Sequence, residues 1–353
     1  MKQVVFAVPG DLSTPTGGYV YDRRIVAELP KSGWQVDVLD IGASFPRASV
    51  AERATAHLQL AALPAGRLIV IDGLAFGVMT DSAQALHRSH RLVALVHHPL
   101  ALETGLSERE AAKFKASERL VLSFVHGVIT TSKTTARLLA NNFAVAEEKI
   151  SVVLPGNDRV AIAERRPSNV VNVLAVGSIV PRKGYDLLIA ALGQIPDLPW
   201  RLVIAADPSR SPETTRALEA QIASLRLTER VELAGVVSEQ RLEELYASAD
   251  LFVLPSRYEG YGMAYTEAIA RGLPVVGTTA GAIPEAVPPG AGMLVAPDSV
   301  SELTLALMRL IGHPAERARL TAGARAAAAA LPTWDDAGRL FSQALEQVLE
   351  NVA

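Results

Sequence analysis

Glu259 and Glu267 lie on one short stretch, Pro255-Ser256-Arg257-Tyr258-Glu259-Gly260-Tyr261-Gly262-Met263-Ala264-Tyr265-Thr266-Glu267, directly after the apolar run Leu251–Leu254. An ionised carboxylate accepts hydrogen bonds from O–H donors, so this pair suits the hydroxyls of a sugar or a ribose. Gly260 and Gly262 let the backbone approach a ligand closely. A helix starting near Gly262 adds amide groups that form an anion site, reinforced by the helix dipole. The stretch half-matches the dinucleotide fingerprint G-x-G-x-x-G, but Tyr265 replaces the third glycine and Glu259 stands where a pyrophosphate would lie. Both departures disfavour a nicotinamide or flavin site. The plain alternative is a surface turn carrying two solvated charges.

Three further stretches carry chemistry of their own. Val176-Gly177-Ser178-Ile179-Val180-Pro181-Arg182-Lys183-Gly184-Tyr185-Asp186 brings two cations to a strand-to-helix turn. Arg and Lys bind phosphate oxygens well, and no Walker A pattern can be read here. Pro9-Gly10-Asp11-Leu12-Ser13-Thr14-Pro15-Thr16-Gly17-Gly18-Tyr19 places a glycine pair before a helix, where backbone amides can meet a phosphate. Val96-His97-His98-Pro99 ends an apolar run. Adjacent residues on a strand point to opposite faces, so the two histidines do not make a zinc pair. No carboxylate–histidine motif accompanies them, and no metal site is expected. Each stretch taken alone also reads as ordinary surface or turn structure.

These groups need elements to hold them. Short apolar runs at Val4–Val8, Trp34–Ile41, Arg67–Ile71, Leu92–Val96, Val128–Thr131 and Ile150–Leu154 alternate with helical stretches such as Val20–Leu29, Val50–Leu63, Ser107–Phe124 and Lys133–Asn141. Near-continuous Val, Ile and Leu in the runs is the mark of parallel strands buried on both faces. Ser132 is the expected N-cap of the last helix. The rhythm breaks over residues 157–169, where Arg159, Arg165, Arg166 and Pro167 suggest a linker. It restarts with strands at Val171–Val176, Arg201–Ala205, Val231–Leu233, Leu251–Leu254, Pro274–Gly277 and Met293–Val295. Helices lie between them at Tyr185–Leu192, Pro212–Leu225, Glu239–Ala249 and Met263–Ala270. The expected fold is α/β, with two Rossmann-like doubly wound parallel-sheet domains facing across a cleft. Domain limits are expected at 1–160, 161–332 and 333–353, the last being an amphipathic helix over Trp334–Leu349 that follows the Ala-rich Ala322–Ala330.

The 353-residue length agrees with about two domains. With 34 Lys+Arg against 37 Asp+Glu, the formal charge is −3, which argues against a nucleic-acid partner. The chain has no cysteine, so disulfides, thiolate metal sites and cysteine nucleophiles are excluded. The apolar run after Met1-Lys2-Gln3 is too short for a signal sequence, and no run is long enough to span a bilayer. A cytoplasmic protein is expected, with peripheral membrane contact left open.

Taken together, these segments resemble the retaining glycosyltransferases of family 4, in the GT-B superfamily. The resemblance rests on the N-terminal glycine loop, the His97 motif, Gly177-Ser178-Ile179-Val180-Pro181-Arg182-Lys183-Gly184, and the E-x7-E spacing from Glu259 to Glu267. Gly272-Leu273-Pro274-Val275-Val276-Gly277 and Ala280-Gly281-Ala282-Ile283-Pro284-Glu285 are also similar to that family. The resemblance implies that the second domain binds a nucleotide-sugar donor while the first shapes the acceptor site. It implies that Glu267 holds ribose hydroxyls, that Glu259 and the Gly260–Met263 backbone, including Tyr261 and Gly262, hold the sugar, and that Arg182 and Lys183 hold the diphosphate. Gly17 and Gly18 would complete the diphosphate site, and His97 would contact the sugar near the reacting carbon. The final helix would cross back to the first domain. The family often has Gly-Arg where this chain has Gly177-Ser178, which leaves Arg182 to substitute for the missing cation.

The activity so implied is retaining, metal-independent transfer of a hexose from a UDP- or GDP-sugar to an acceptor hydroxyl on a sugar, lipid or small molecule. No cofactor is called for beyond that substrate, and the cations would stabilise charge on the departing diphosphate. Ala101–Phe124 is the candidate acceptor wall, with an ordinary amphipathic helix as its alternative. A sugar-nucleotide epimerase, a sugar phosphorylase and a catalytically silent nucleotide-sugar binding subunit are the competing readings.

Overall fold

A computed structural model of the chain describes residues 2–162 and 168–350. Of the expected linker, Arg165, Arg166 and Pro167 lie outside the described residues. The chain divides into two compact units, one running to Gly156 and resuming at Pro332, the other spanning Asn157–Leu331. The first unit therefore ends at Gly156 rather than at 160. Residues just past it are fastened to the second unit, since Arg159 donates to the carbonyls of Ala328 at 2.7 Å and Leu331 at 3.0 Å.

The first unit runs β1 (Lys2–Val8), α1 (Gly17–Glu28), β2 (Trp34–Asp40), α2 (Val50–Ala61), β3 (Leu68–Asp72), α3 (Gly73–Phe76), α4 (Thr80–Leu86), β4 (Arg91–Val96), α5 (Glu108–Ser123), β5 (Gly127–Thr130), α6 (Lys133–Phe143) and β6 (Ile150–Val152). Its sheet is parallel, in the order β2-β1-β3-β4-β5-β6. Val5 and Ala7 of β1 join a buried cluster with Ala56 and Leu60 of α2, Ala83 and Leu86 of α4 and Val121 of α5. Phe6 points the other way. The order turns back on itself between β1 and β3, so the loops after β1 and β3 diverge and leave a crevice at their carboxyl ends.

The second unit runs β7 (Val171–Ser178), α7 (Tyr185–Gly193), β8 (Trp200–Asp207), α8 (Pro212–Ser224), β9 (Val231–Leu233), α9 (Glu239–Ser248), β10 (Leu251–Val253), α10 (Met263–Ala270), β11 (Val275–Thr278), α11 (Ile283–Ala286), β12 (Gly292–Val295), α12 (Val300–Gly312) and α13 (Pro314–Ala328). Its sheet order is β12-β11-β10-β7-β8-β9, with every pairing parallel and the switch between β10 and β7. Two doubly wound Rossmann-like sheets are therefore present, as expected.

α14 (Trp334–Glu350) belongs to the first unit. Phe341 packs against Phe6 with ring centres 6.0 Å apart, and the indole of Trp34 donates to the Ser342 hydroxyl at 2.8 Å. Gly156 passes so close to this helix that a Cβ there would fall 2.2 Å from the Trp334 nitrogen, a contact only glycine permits.

Several boundaries differ from expectation. α1 begins at Gly17, not Val20, which puts the glycine pair inside the first helical turn. The Ala-rich stretch is part of α13, and α12 precedes it without having been foreseen. Edge strand β2 is not buried on both faces: after Trp34 its residues are exposed or only partly buried. Among the described residues, no helix is long and apolar enough to cross a membrane.

Candidate functional site

At the switch point of the second sheet, two loops are drawn together by Gly184. Its φ is +70°, and a Cβ would fall 2.1 Å from the Pro255 carbonyl oxygen, so the turn after β7 lies directly on the end of β10. Arg257 stitches the same loops, with its guanidinium on Asp186 at 2.9 and 2.7 Å and on Asp298 at 2.6 Å. The loop after β11 joins through the Ala282 amide, which donates to the Glu259 carbonyl at 2.9 Å.

This places Glu259 among cations. Its Oε1 accepts from Lys183 Nζ at 2.7 Å and from the Ser256 hydroxyl at 2.7 Å; its Oε2 accepts from Arg182 Nη1 at 2.9 Å. Glu259 is only 6% exposed. Burial alone would raise its pKa, but Lys183 and then Arg182 outweigh burial and hold the carboxyl at about 2. It is ionised throughout the neutral range. The residues expected to hold a diphosphate are thus paired with the carboxylate expected to hold the sugar. The same charges can serve both, provided the cations turn from one partner to the other.

Glu267 sits on α10 and accepts from the Tyr246 hydroxyl at 3.1 Å. Burial raises its pKa, and Arg271, whose guanidinium lies 4.5 Å from the centre of the Tyr246 ring, pulls the other way. Gly260, Tyr261 and Gly262 lead into Met263, the first residue of α10, and Gly262 adopts a left-handed φ of +100°. Ser178 closes β7 beside them. The second unit thereby gathers Ser178, Arg182, Lys183, Glu259–Met263 and Glu267 at one sheet edge. Arg257 and Tyr246 were missed. Arg257 could have been found from its place between Ser256 and Glu259; Tyr246 lies on α9, with no motif to mark it.

Gly17, Gly18 and His97 belong to the first unit. The cap residue Thr16 makes no side-chain hydrogen bond, so the amides of Gly17 and Gly18 stand at an uncapped helix start. Gly18 lies over His97, where a Cβ would meet the ring at 3.4 Å. His97 Nε2 lies 3.1 Å from Asp22 Oδ1 and 3.6 Å from Asp72 Oδ2. One ligand atom from each of these three residues lies within 4.8 Å of the others, a set that could receive a cation. Sequence reading missed Asp22 and Asp72; their signal is a carboxylate set in an otherwise buried helix face and at the end of a fully buried strand. His98 pairs instead with Glu103, at 3.2 Å.

The first unit also holds an open cavity of about 870 Å³ between α2, α4 and α5. Val78, Met79 and Phe114 give it apolar walls, and Arg47, Arg53 and Lys113 supply cations. Glu110, Lys113, Phe114 and Ser117 place one side of the expected acceptor wall on it. Glu118, further along α5, instead turns inward and accepts from the amides of Leu100 at 2.6 Å and Ala101 at 3.2 Å.

Residues 160–327 match the family described as glycosyl transferases group 1. The chain is 30% identical over 324 residues to the MMP alpha-(1->4)-mannosyltransferase of Mycolicibacterium hassiacum, covering 86% of this chain and 77% of that one. It is 33% identical over 183 residues to a GDP-mannose-dependent monoacylated alpha-(1-6)-phosphatidylinositol monomannoside mannosyltransferase of Corynebacterium glutamicum, covering 49% of this chain and 47% of that one. The fold is similar to that of a sucrose-phosphate synthase from Thermosynechococcus elongatus, with a TM-score of 0.83, 21% identity and coverage of 99% of this chain and 100% of that one. With its paired sheets and its E-x7-E carboxylates, the chain belongs to the group 1 glycosyltransferases, a family of hexosyl-transferring enzymes of the GT-B fold.

Proposed function

We propose that this glycosyltransferase moves a hexosyl group, with retention and without a metal ion, from a nucleotide-diphosphate sugar to an acceptor hydroxyl. The observation that carries the reading is Glu259 held between Lys183 and Arg182 at the switch point, with Glu267 one helix turn beyond. Glu267 accepts the ribose hydroxyls, and Glu259 with the Gly260–Met263 backbone orients the hexose. As the bond from the anomeric carbon to the diphosphate breaks, charge builds on the departing oxygen, which takes the proton that the acceptor hydroxyl loses as its oxygen bonds that carbon. Arg182 and Lys183 shift part of their pairing from Glu259 onto the departing oxygen. Glu259, ionised and already neutralised by two cations, suits holding hydroxyls better than attacking carbon.

Both mannosyltransferase relatives support mannose as the hexose, and the second supports GDP as the nucleotide; a UDP-sugar is the other candidate. The acceptor is assigned to the cavity between α2, α4 and α5, where Arg47, Arg53 and Lys113 outnumber the carboxylates of Asp81 and Glu110 and suit a phosphate-bearing molecule with an apolar portion. Incubation with GDP-mannose and UDP-sugars, each with and without phosphorylated sugar and polyol acceptors, tests the reading. Acceptor-dependent release of nucleotide with an α-linked product supports it. Change of the donor alone indicates an epimerase, dependence on inorganic phosphate a phosphorylase, and binding without turnover a silent subunit.

Two outcomes follow for the same assay. Turnover in EDTA should equal turnover in magnesium; a loss on the order of tenfold would refute metal independence. Lys113→Ala should raise KM for an anionic acceptor by about tenfold, as expected for one lost charged hydrogen bond, and leave donor affinity unchanged.

A further inference from the structure

We propose that Glu118 is a positioning residue for the transfer: its carboxyl group clamps the segment that follows His97 onto α5, the helix that lines the acceptor cavity, and so sets where His97 stands relative to a bound acceptor. The proposal deepens the transferase reading and rests on it for the roles of His97 and the cavity.

One buried side chain makes the clamp. Glu118 is 6% exposed; its Oε1 accepts from the Leu100 amide at 2.6 Å and its Oε2 from the Ala101 amide at 3.2 Å. No cation pairs with it among the described residues, and Phe76, Val96, Val121 and Leu122 line the same small void. A polar group in such surroundings is costly unless its hydrogen bonds are made, so the carboxyl and the two amides hold one another. Gly77 makes the room, since a Cβ there would fall 3.0 Å from Glu118 Cγ and 2.9 Å from Leu100 Cδ1.

Its place in the fold gives the clamp a mechanical consequence. β4 fixes the backbone up to Val96, which pairs with Thr130. Glu118 fixes it again from Leu100, so His97, His98 and Pro99 are strung between two anchors. The Thr131 hydroxyl donates to the His97 carbonyl at 3.3 Å, and His98 reaches across the short turn Leu100–Leu102 to Glu103 at 3.2 Å. On its other side α5 presents Glu110, Lys113, Phe114 and Ser117 to the cavity at helical spacing, and Glu118 follows next round the helix, facing inward. The Ser117 hydroxyl donates to the Gly77 carbonyl at 2.6 Å, which stops α5 from sliding under the loop. One helix thus bounds the cavity and holds the segment that carries His97.

Two variants of the full chain test this. Glu118→Gln keeps the shape but turns an amide N–H toward one of the two backbone amides, so one bond of the clamp is lost. Glu118→Asp keeps both oxygens and loses the reach. With GDP-mannose or a UDP-sugar as donor and a phosphorylated sugar as acceptor, kcat per folded molecule should fall about tenfold in both, within the ~10² that a misplacement of about 1 Å costs. Donor affinity by calorimetry should stay the same, because the side chains proposed to bind the nucleotide lie on the second unit. Amide hydrogen exchange over residues 98–102 should quicken by about tenfold in Glu118→Gln and leave β4 unchanged. Circular dichroism sets the folded fraction; should Glu118→Asp not fold, the isosteric Glu118→Gln decides alone. A lower unfolding midpoint with kcat per folded molecule unchanged marks a purely structural carboxyl and overturns the proposal, as does loop exchange equal to that of the wild type. A wild type that turns over no donor overturns the transferase reading, and the positioning role with it, while quickened loop exchange in Glu118→Gln still upholds the clamp.

Discussion

Lys183→Ala should lower kcat/KM for the donor by roughly 10²–10³, the usual cost of removing one preorganised group that faces developing charge. The loss has two sources. On the proposed reading the departing diphosphate loses one of its two side-chain cations, and Glu259 keeps Arg182 at 2.9 Å and the Ser256 hydroxyl at 2.7 Å to offset its burial. The Glu259 pKa then rises from about 2. The sign of the pH effect follows. A carboxyl depressed below its ordinary 4.5 contributes stability above that value and loses it as pH falls toward 2. In Lys183→Ala the contribution should be smaller and its loss complete at a higher pH, because the folded-state pKa then lies nearer the ordinary 4.5. Calorimetric titration with nucleotide sugar and an acid-unfolding series together check the prediction; unchanged donor affinity with an unchanged acid midpoint would remove Lys183 from the site.

Phe341→Ala should destabilise the first unit by about 3–5 kcal/mol, the range for truncating a buried phenylalanine. Phe341 is fully buried on α14 against Phe6, itself fully buried in the central strand β1. Against a domain stability of about 5–15 kcal/mol, that is a large fraction. Urea denaturation followed by tryptophan fluorescence in a Trp200→Phe background reports on this unit, because Trp34 and Trp334 both lie in it and the Trp34 indole bonds to Ser342 on the same helix. A midpoint within error of the wild type would show that α14 does not hold the unit together.

The sequence disclosed the alternating elements well because a strand buried on both faces is an unbroken apolar run. Leu68–Asp72, with every residue buried, is the plainest case. Where contrast between faces fades, so does the signal: the Ala-rich part of α13 gives no stripe from which to read a helix, although it forms one. The same limit governs the site. E-x7-E and Arg182-Lys183 are local patterns and could be read directly. Their union around Glu259 depends on β7 lying beside β10, and strand order is not written in local sequence. Asp22 and Asp72 are harder still, since they come from α1 and β3 to meet the residue that follows β4, and of the three only His97 sits in a recognisable motif.

The contact of Gly156 with Trp334 has a consequence for how the chain is put together. Topologically, the second unit is an insertion: the polypeptide leaves the first at Gly156 and re-enters it at Pro332, with the outgoing and returning backbones touching where they pass. A fragment made of the leading residues alone would lack the helix that covers Phe6 and Trp34. Conversely, the whole intervening body could be excised and the two ends spliced by a short loop, because their separation is already set by that touch. During synthesis the whole first sheet emerges before the second unit, and only its covering helix α14 arrives after it.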